Sequence, residues 1–258
     1  MSELYSLERH GTTALLTLNR PPANAMNHAL MAQLATVLTQ LAEVRALVIT
    51  GHGRFFSAGL DLNEVFGYPE EQGEVFASIF DDVMTGVFAL EIPVVAAING
   101  HAIAGGAVLA AAADFRIISE GEAKIGLTEI QVGVPFPTSA FEIVRTTWTG
   151  PHLPELLYRG QNHSVAASLA RHMVDEVVAP ADLLPRSLAL AAELGGRPRI
   201  AYASTKRALR SDALDRMAAA RRARGVDPRW RQWRTPEVLE AMMAYRASLA
   251  SQRPARKE

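Results

Sequence analysis

Apolar residues recur along the first 120 positions in two alternating rhythms, one extended and one helical. Residues 4–8 and 13–18 read as strands hinged at Gly11, and Pro21-Pro22 stops that piece of sheet. Over 28–43, Leu30, Leu34, Val37, Leu38 and Leu41 fall at helical spacing, and Ala46-Leu47-Val48-Ile49-Thr50 follows as a continuous apolar strand. The order repeats in a helix over 71–90, a strand over 94–98, a helix from Gly105 and a strand at 115–118. Helices between buried strands imply right-handed crossovers and mostly parallel pairing, hence an α/β N-terminal half. Beyond Ser139 the pattern is almost wholly helical, at 153–158, 164–172, 183–194, 203–210 and 236–251.

A chain of 258 residues with 49% hydrophobic content buries a full core in one large unit. Its net charge of −1 argues against a body-wide basic field for nucleic acid or a membrane surface. Cysteine is absent, which removes disulfides, thiolate metal sites and cysteine nucleophiles and fits a reducing cytoplasm. Residues 1–9 carry Glu3 and Glu8 and no apolar run, unlike a secretory or transit peptide, so the protein is expected to stay in the cytoplasm. Residues 92–113 lack charge over a length that spans a bilayer, but Pro93, Asn99, Gly100, His101, Gly105 and Gly106 interrupt them. A buried strand, a turn and a small-residue helix are expected there instead. Near the C-terminus Arg221, Arg222, Arg224, Arg229, Arg231 and Arg234 gather around Trp230 and Trp233, and are expected to form a solvated or interface face.

Candidate chemistry lies in two glycine-bearing turns that follow buried strands, Phe56-Ser57-Ala58-Gly59-Leu60-Asp61 and Asn99-Gly100-His101-Ala102-Ile103-Ala104-Gly105-Gly106. If a helix begins near Gly105, its first N–H groups lack partners and carry the positive end of the helix dipole. A second N–H, from Ala58, would complete an oxyanion hole. The alternative is that the glycines only permit tight strand-to-helix packing. Ser57 is no hydrolase nucleophile, because Phe55 stands at the first glycine of G-x-S-x-G. The seven histidines, His52 and His101 beside the turns included, show no H-E-x-x-H spacing, and no G-x-G-x-x-G is completed, so neither metal nor nicotinamide is indicated.

Taken together, 56–62, 93–100, the Ala104-Gly105-Gly106 turn, Asp114-Phe115-Arg116-Ile117 and Ile125-Gly126-Leu127-Thr128-Glu129 resemble the enoyl-CoA hydratase/isomerase (crotonase) superfamily in order and spacing. The resemblance covers most of the chain. It implies a ClpP/crotonase-like spiral of ββα units over 1–195 and a helical region over 196–258 that builds a homotrimer or a dimer of trimers. It implies an acyl-CoA thioester substrate, with coenzyme A part of that substrate and no separate cofactor. Glu129 becomes the catalytic acid/base, and Ala58 and Gly105 the oxyanion donors. Ala23, Asn24, Ala25 and Met26, with Ser57, Leu60, Asp61 and Leu62, are expected along the coenzyme A path, and Gly106 beside the thioester. Phe66, Phe76, Phe80 and Phe136 are expected to bound the acyl pocket, although they suit a core equally, and Asp61 and Asp114 suit strand-end or capping roles.

Hydratases of this superfamily carry a second glutamate three residues after the second oxyanion glycine, and this chain has Val108 there. Residues three apart share a helix face, so an apolar wall stands where an acid would hold water. The resemblance is therefore strongest to 3,2-enoyl-CoA isomerases, in which one glutamate moves a proton from C2 to C4. Weak hydration, another crotonase reaction, or acyl-CoA binding without chemistry are the alternatives.

Overall fold

A computed structural model describes residues 3–224 and 226–251. Its large sheet has six strands in the order β1-β2-β3-β5-β7-β10: β1 Tyr5–His10, β2 Thr13–Leu18, β3 Ala46–Gly51, β5 Val94–Ile98, β7 Phe115–Ser119 and β10 Glu176–Val178. Only β1 and β2 pair antiparallel; the rest are parallel. A second sheet of four three-residue strands stands beside it in the order β4-β6-β8-β9: β4 Phe55–Ser57, β6 His101–Ile103, β8 Lys124–Gly126 and β9 Asn162–Ser164. Three successive turns of the chain, β3-β4, β5-β6 and β7-β8, each lay one strand in each sheet and then enter a helix, the repeat of the expected spiral of ββα units, whereas β1 and β2 both lie in the large sheet.

The helices of the first half are α1 His28–Thr39, α2 Leu62–Val65, α3 Glu70–Ala89, α4 Gly105–Ala112 and α5 Glu129–Val132. Asn27 starts α1 by accepting the Leu30 N–H at 2.9 Å, and α1 ends four residues earlier than its apolar period suggested. Then come α6 Thr138–Thr147, α7 Leu153–Arg159, α8 Val165–Ala170, α9 Leu183–Gly195, α10 Arg199–Arg224, α11 Pro228–Gln232 and α12 Pro236–Ser251. The uncharged stretch 92–113 is strand, turn, strand and helix, and among the described residues no helix is long and apolar enough to cross a membrane.

Two cores sandwich the large sheet. The main one packs α1, α3, α4 and α6 on one face; a smaller one packs Leu183 and Ala191 of α9 against Leu15, Ala46, Val48, Val95, Ala97 and Ile117. Burial on both faces is why β3 and β5 read as unbroken apolar runs rather than alternating ones. Ala213, Met217, Trp230, Trp233 and Met242 belong to the main core, so the helices beyond 196 pack on their own spiral. The second half is less purely helical than its sequence suggested: β9 and β10 interrupt it, and the helix expected over 203–210 is the middle of the 26-residue α10.

Buried charge ties α10 to the sheet. Asp114, before β7, accepts the Val94 N–H at 2.7 Å and pairs with Lys206 and Arg210, each at 2.8 Å. Asp61 caps α2 and pairs with Arg20 at 2.8 Å. Both aspartates hold the structure.

Candidate active site

The two glycine-bearing turns meet where the small sheet ends. A Cβ on Gly59, whose φ is +80°, would lie 2.8 Å from the Ile103 carbonyl and 2.9 Å from the Gly105 nitrogen, so only glycine fits there. Ala104, with φ 49° and ψ −121°, turns the chain from β6 into α4 in a conformation that L-residues rarely adopt. That turn leaves the Gly105 N–H at the first position of α4, with no hydrogen-bond partner among the described residues.

The other turn is held by residues 23–26. Ala58 donates its N–H to the Ala23 carbonyl at 3.0 Å, Gly59 donates to Ser57 Oγ at 3.2 Å, Met26 donates to the Gly59 carbonyl at 2.7 Å, and Asp61 donates to the Met26 carbonyl at 2.9 Å. Gly59 C=O and Asp61 N–H thus point towards Met26, and the Leu60 N–H between them points the other way, as alternation along an extended chain requires. It has no partner among the described residues. The Ala58 N–H chosen from sequence is therefore engaged, and Leu60 offers the unpaired N–H two residues further on.

Leu60 and Gly105 both line a cavity of about 440 Å³ together with Ala58, Leu62, Val108 and Glu129. Val108 and Gly105 share it, as their spacing on one helix face requires. Glu129, the first residue of α5, is buried, and its Oε2 finds no partner among the described residues. Burial raises its pKa from 4.5 to about 8. It is the single carboxylate among the described lining residues, which also include Val108, Val132, Leu60 and Gly105.

The sequence description for enoyl-CoA hydratase/isomerase matches residues 8–227. The chain belongs to that family. It is 33% identical over 202 residues, 77% of this chain and 78% of the relative, to a probable enoyl-CoA hydratase of Mycobacterium avium. Among solved structures it resembles a Mycobacterium tuberculosis protein at TM-score 0.79 and 28% identity, covering 85% of this chain and 96% of that one, which one structure describes as an enoyl-CoA isomerase and another as a probable enoyl-CoA hydratase. Human mitochondrial delta3-delta2-enoyl-CoA isomerase superposes at TM-score 0.91 over 98% of this chain and 100% of that one; at 23% identity this shows the shared fold.

Within this enoyl-CoA hydratase/isomerase fold, several side chains expected at the site do structural work. Asn24, φ 49°, accepts the Arg20 N–H and donates to the carbonyls of His52 and Phe55. Ser57 donates to the Asn24 carbonyl at 2.8 Å and is fully buried. Gly106 lets α4 press on β4, since a Cβ there would lie 2.2 Å from the Ser57 carbonyl. Ala23, Asn24, Ala25 and Met26 flank the turn without lining the cavity, as do Ser57, Asp61 and Gly106.

Of the four phenylalanines expected around the acyl group, Phe80 alone lines the cavity. Phe76 packs edge-on against Trp230, and Phe66 lies tilted against Trp233. Phe136 lines a separate groove with Ile130, Phe141 and Tyr158, because the loop after α5 turns Val134 and Pro137 to the Glu129 cavity instead. His101 accepts the Lys124 N–H through Nδ1 and stays outside the cavity.

The residues that sequence reasoning missed come from the C-terminal helices. Trp230, Trp233 and Tyr245 line the cavity, and both tryptophans are buried, so of the expected solvated or interface face the solvated alternative is wrong for the indoles. Trp233 donates to the Pro135 carbonyl at 2.8 Å. Most of the arginines around them face outward: Arg231 pairs with Glu74, Arg221 with Asp82, and Arg222 is exposed, whereas Arg229 is half-buried over the Phe141 ring. The side chain of Arg224 lies outside the described residues. The signal that separated the two sets was burial of the aromatic positions between the arginines.

Proposed function

We propose that this enzyme of the enoyl-CoA hydratase/isomerase family moves a double bond, converting a 3-enoyl-CoA into its 2-trans isomer. The observation that carries this reading is Glu129 as the lone carboxylate among the described lining residues of a cavity that Val108 also lines. Glu129 takes a proton from C2 of the bound thioester. The electron pair moves through the C2–C1 bond onto the thioester oxygen, and the N–H groups of Leu60 and Gly105 bind the resulting enolate. The same carboxyl group returns the proton at C4 as the double bond settles between C2 and C3. A carboxyl group with a pKa of about 8 suits both transfers near neutral pH.

The two proton transfers call for no metal or redox cofactor, and coenzyme A enters as part of the substrate. The family works on acyl-CoA thioesters. The reading extends to a trimer or dimer of trimers, supported by Ile200 and Leu209 of α10, which are 86% and 77% exposed in the single chain. Light scattering checks that mass. Zero cysteines accord with a reducing cytoplasm.

The test compares conversion of 3-hexenoyl-CoA with hydration of crotonyl-CoA, in the wild type and in Glu129→Gln. Faster isomerisation that Glu129→Gln abolishes supports the reading. Faster hydration, or isomerisation indifferent to Glu129→Gln, overturns it. The hydratase relatives make hydration the second reading, and Val108 is the residue that weighs against it.

A further inference from the structure

Behind the catalytic cavity lies a second one of about 190 Å³, bordered by Asp81, Ser139, Arg221 and Asp227, that shares no lining residue with the first. Trp230 of the first lining is tied to the second twice, by its backbone N–H, which donates to the Asp227 carbonyl at 3.0 Å, and by its indole. Asp81 of α3 accepts the indole N–H of Trp230 at 3.2 Å through Oδ2 and the hydroxyl of Ser139 at 2.5 Å through Oδ1. Trp230 in turn packs edge-on against Phe80 and Phe76, with ring centroids 5.4 and 6.2 Å away, and lies 4.6 Å from Trp233. Three of these rings, Phe80, Trp230 and Trp233, line the catalytic cavity.

An indole ring in an aromatic cluster is held by shape in most directions but slides easily in its own plane. A directed hydrogen bond from Nε1 removes that freedom. We propose that Asp81, which never touches the substrate, is a positioning residue that fixes the Trp230 wall of the cavity and so the fit of the acyl group. This rests on the reading that the cavity takes the acyl part of a thioester.

The chemistry of the contact makes it sensitive to a proton. Indole N–H only donates, so a proton on Asp81 is best placed on Oδ1, where the Ser139 hydroxyl can turn and accept it. The Trp230 bond then passes from charge-assisted to neutral and weakens by about half. Burial and the nearby charge of Asp227 at the start of α11 push Asp81 up, while Ser139 of α6, Trp230 and Arg221 of α10 oppose them; the balance lies at about 7. Asp82, the neighbour on α3, is paired with Arg221. The proton reaches Asp81 from the second cavity, so a bound substrate does not block the exchange.

The test is calorimetric binding of octanoyl-CoA and of free coenzyme A at pH 6 and pH 8.5. All proteins carry Glu129→Gln, which silences turnover and removes the carboxyl group of the first cavity, whose raised pKa also falls in this range. To that background are added Asp81→Asn, which imitates the protonated acid, Trp230→Phe, which keeps a ring without the N–H, and both together. At pH 8.5 Asp81→Asn is expected to weaken octanoyl-CoA about fivefold, the worth of roughly one neutral hydrogen bond, and to leave free coenzyme A unchanged. At pH 6 it matches its Asp81 parent, and the double variant binds as Trp230→Phe does.

Equal octanoyl-CoA affinity with Asp or Asn at 81 at pH 8.5, or losses that multiply in the double variant, overturns the proposal and leaves the acyl-cavity reading intact. A parent protein that binds octanoyl-CoA no more tightly than coenzyme A overturns both. If Asp81→Asn fails to fold, the parent and Trp230→Phe decide: parent affinity falls from pH 8.5 to pH 6 and that of Trp230→Phe does not, whereas parallel pH dependences refute the role.

Discussion

Glu129→Gln tests the cost of keeping an acid in an apolar cavity. With its pKa at about 8 in the folded chain and 4.5 as the reference value, Glu129 favours the folded state while it holds its proton. Below pH 4.5 folded and unfolded chains are both protonated here, and that contribution is fully present. As pH rises the unfolded chain ionises first, so stability falls across pH 4.5 to about 8 and levels off above. The gap corresponds to about 5 kcal/mol. Glutamine has nearly the same shape and no charge to desolvate, so the variant is expected to match the wild type at pH 4.5 and to exceed it by several kcal/mol at pH 9. Urea unfolding of both proteins at several pH values and one protein concentration reads the difference. Asp81, also raised, contributes a slope of its own that cancels in the comparison. Identical pH dependence in the two proteins would refute the buried, uncompensated state of Glu129.

Other outcomes follow from the same contacts. Val108→Glu places a second carboxyl group in the cavity, and hydration of crotonyl-CoA should rise by at least about a hundredfold, the low end of general acid–base effects; a folded variant with unchanged hydration means water activation is limited elsewhere. In the wild type, kcat/KM for 3-hexenoyl-CoA should climb with pH and level off above about 8 as Glu129 becomes a base, and a profile flat from pH 6 to 9 contradicts that. Asp114→Ala strands Lys206 and Arg210, both buried, and should cost about 3–5 kcal/mol in chemical denaturation. A loss under 1 kcal/mol would show that the cations relax into water.

The large sheet was legible because strands buried on both faces leave unbroken apolar runs, and β3 and β5 stand where those runs are. The small sheet was not, since three residues are too few to display a period of two. The same short elements hid which N–H of the first turn is free. That depends on the pairing of residues 58–61 with 23–26, and alternation moves the unpaired N–H from Ala58 to Leu60 once that pairing is known. Val108 and Glu129 were legible together, because the spacing from Gly105 fixes one and the 125–129 motif the other. Trp230 and Trp233 were masked by the arginines around them, whose charges suggested an exposed face. Phe136 failed because the loop after α5 decides which side chain turns inward, and no periodicity governs a loop.

The claim at the centre is that one carboxyl group carries the proton both ways. Supplied with 3-hexenoyl-CoA deuterated at C2, the wild type should yield 2-hexenoyl-CoA with part of the deuterium at C4, read by NMR, and Glu129→Gln should yield none. Product formed equally fast by Glu129→Gln, or 3-hydroxyhexanoyl-CoA as the main product of the wild type, would contradict it.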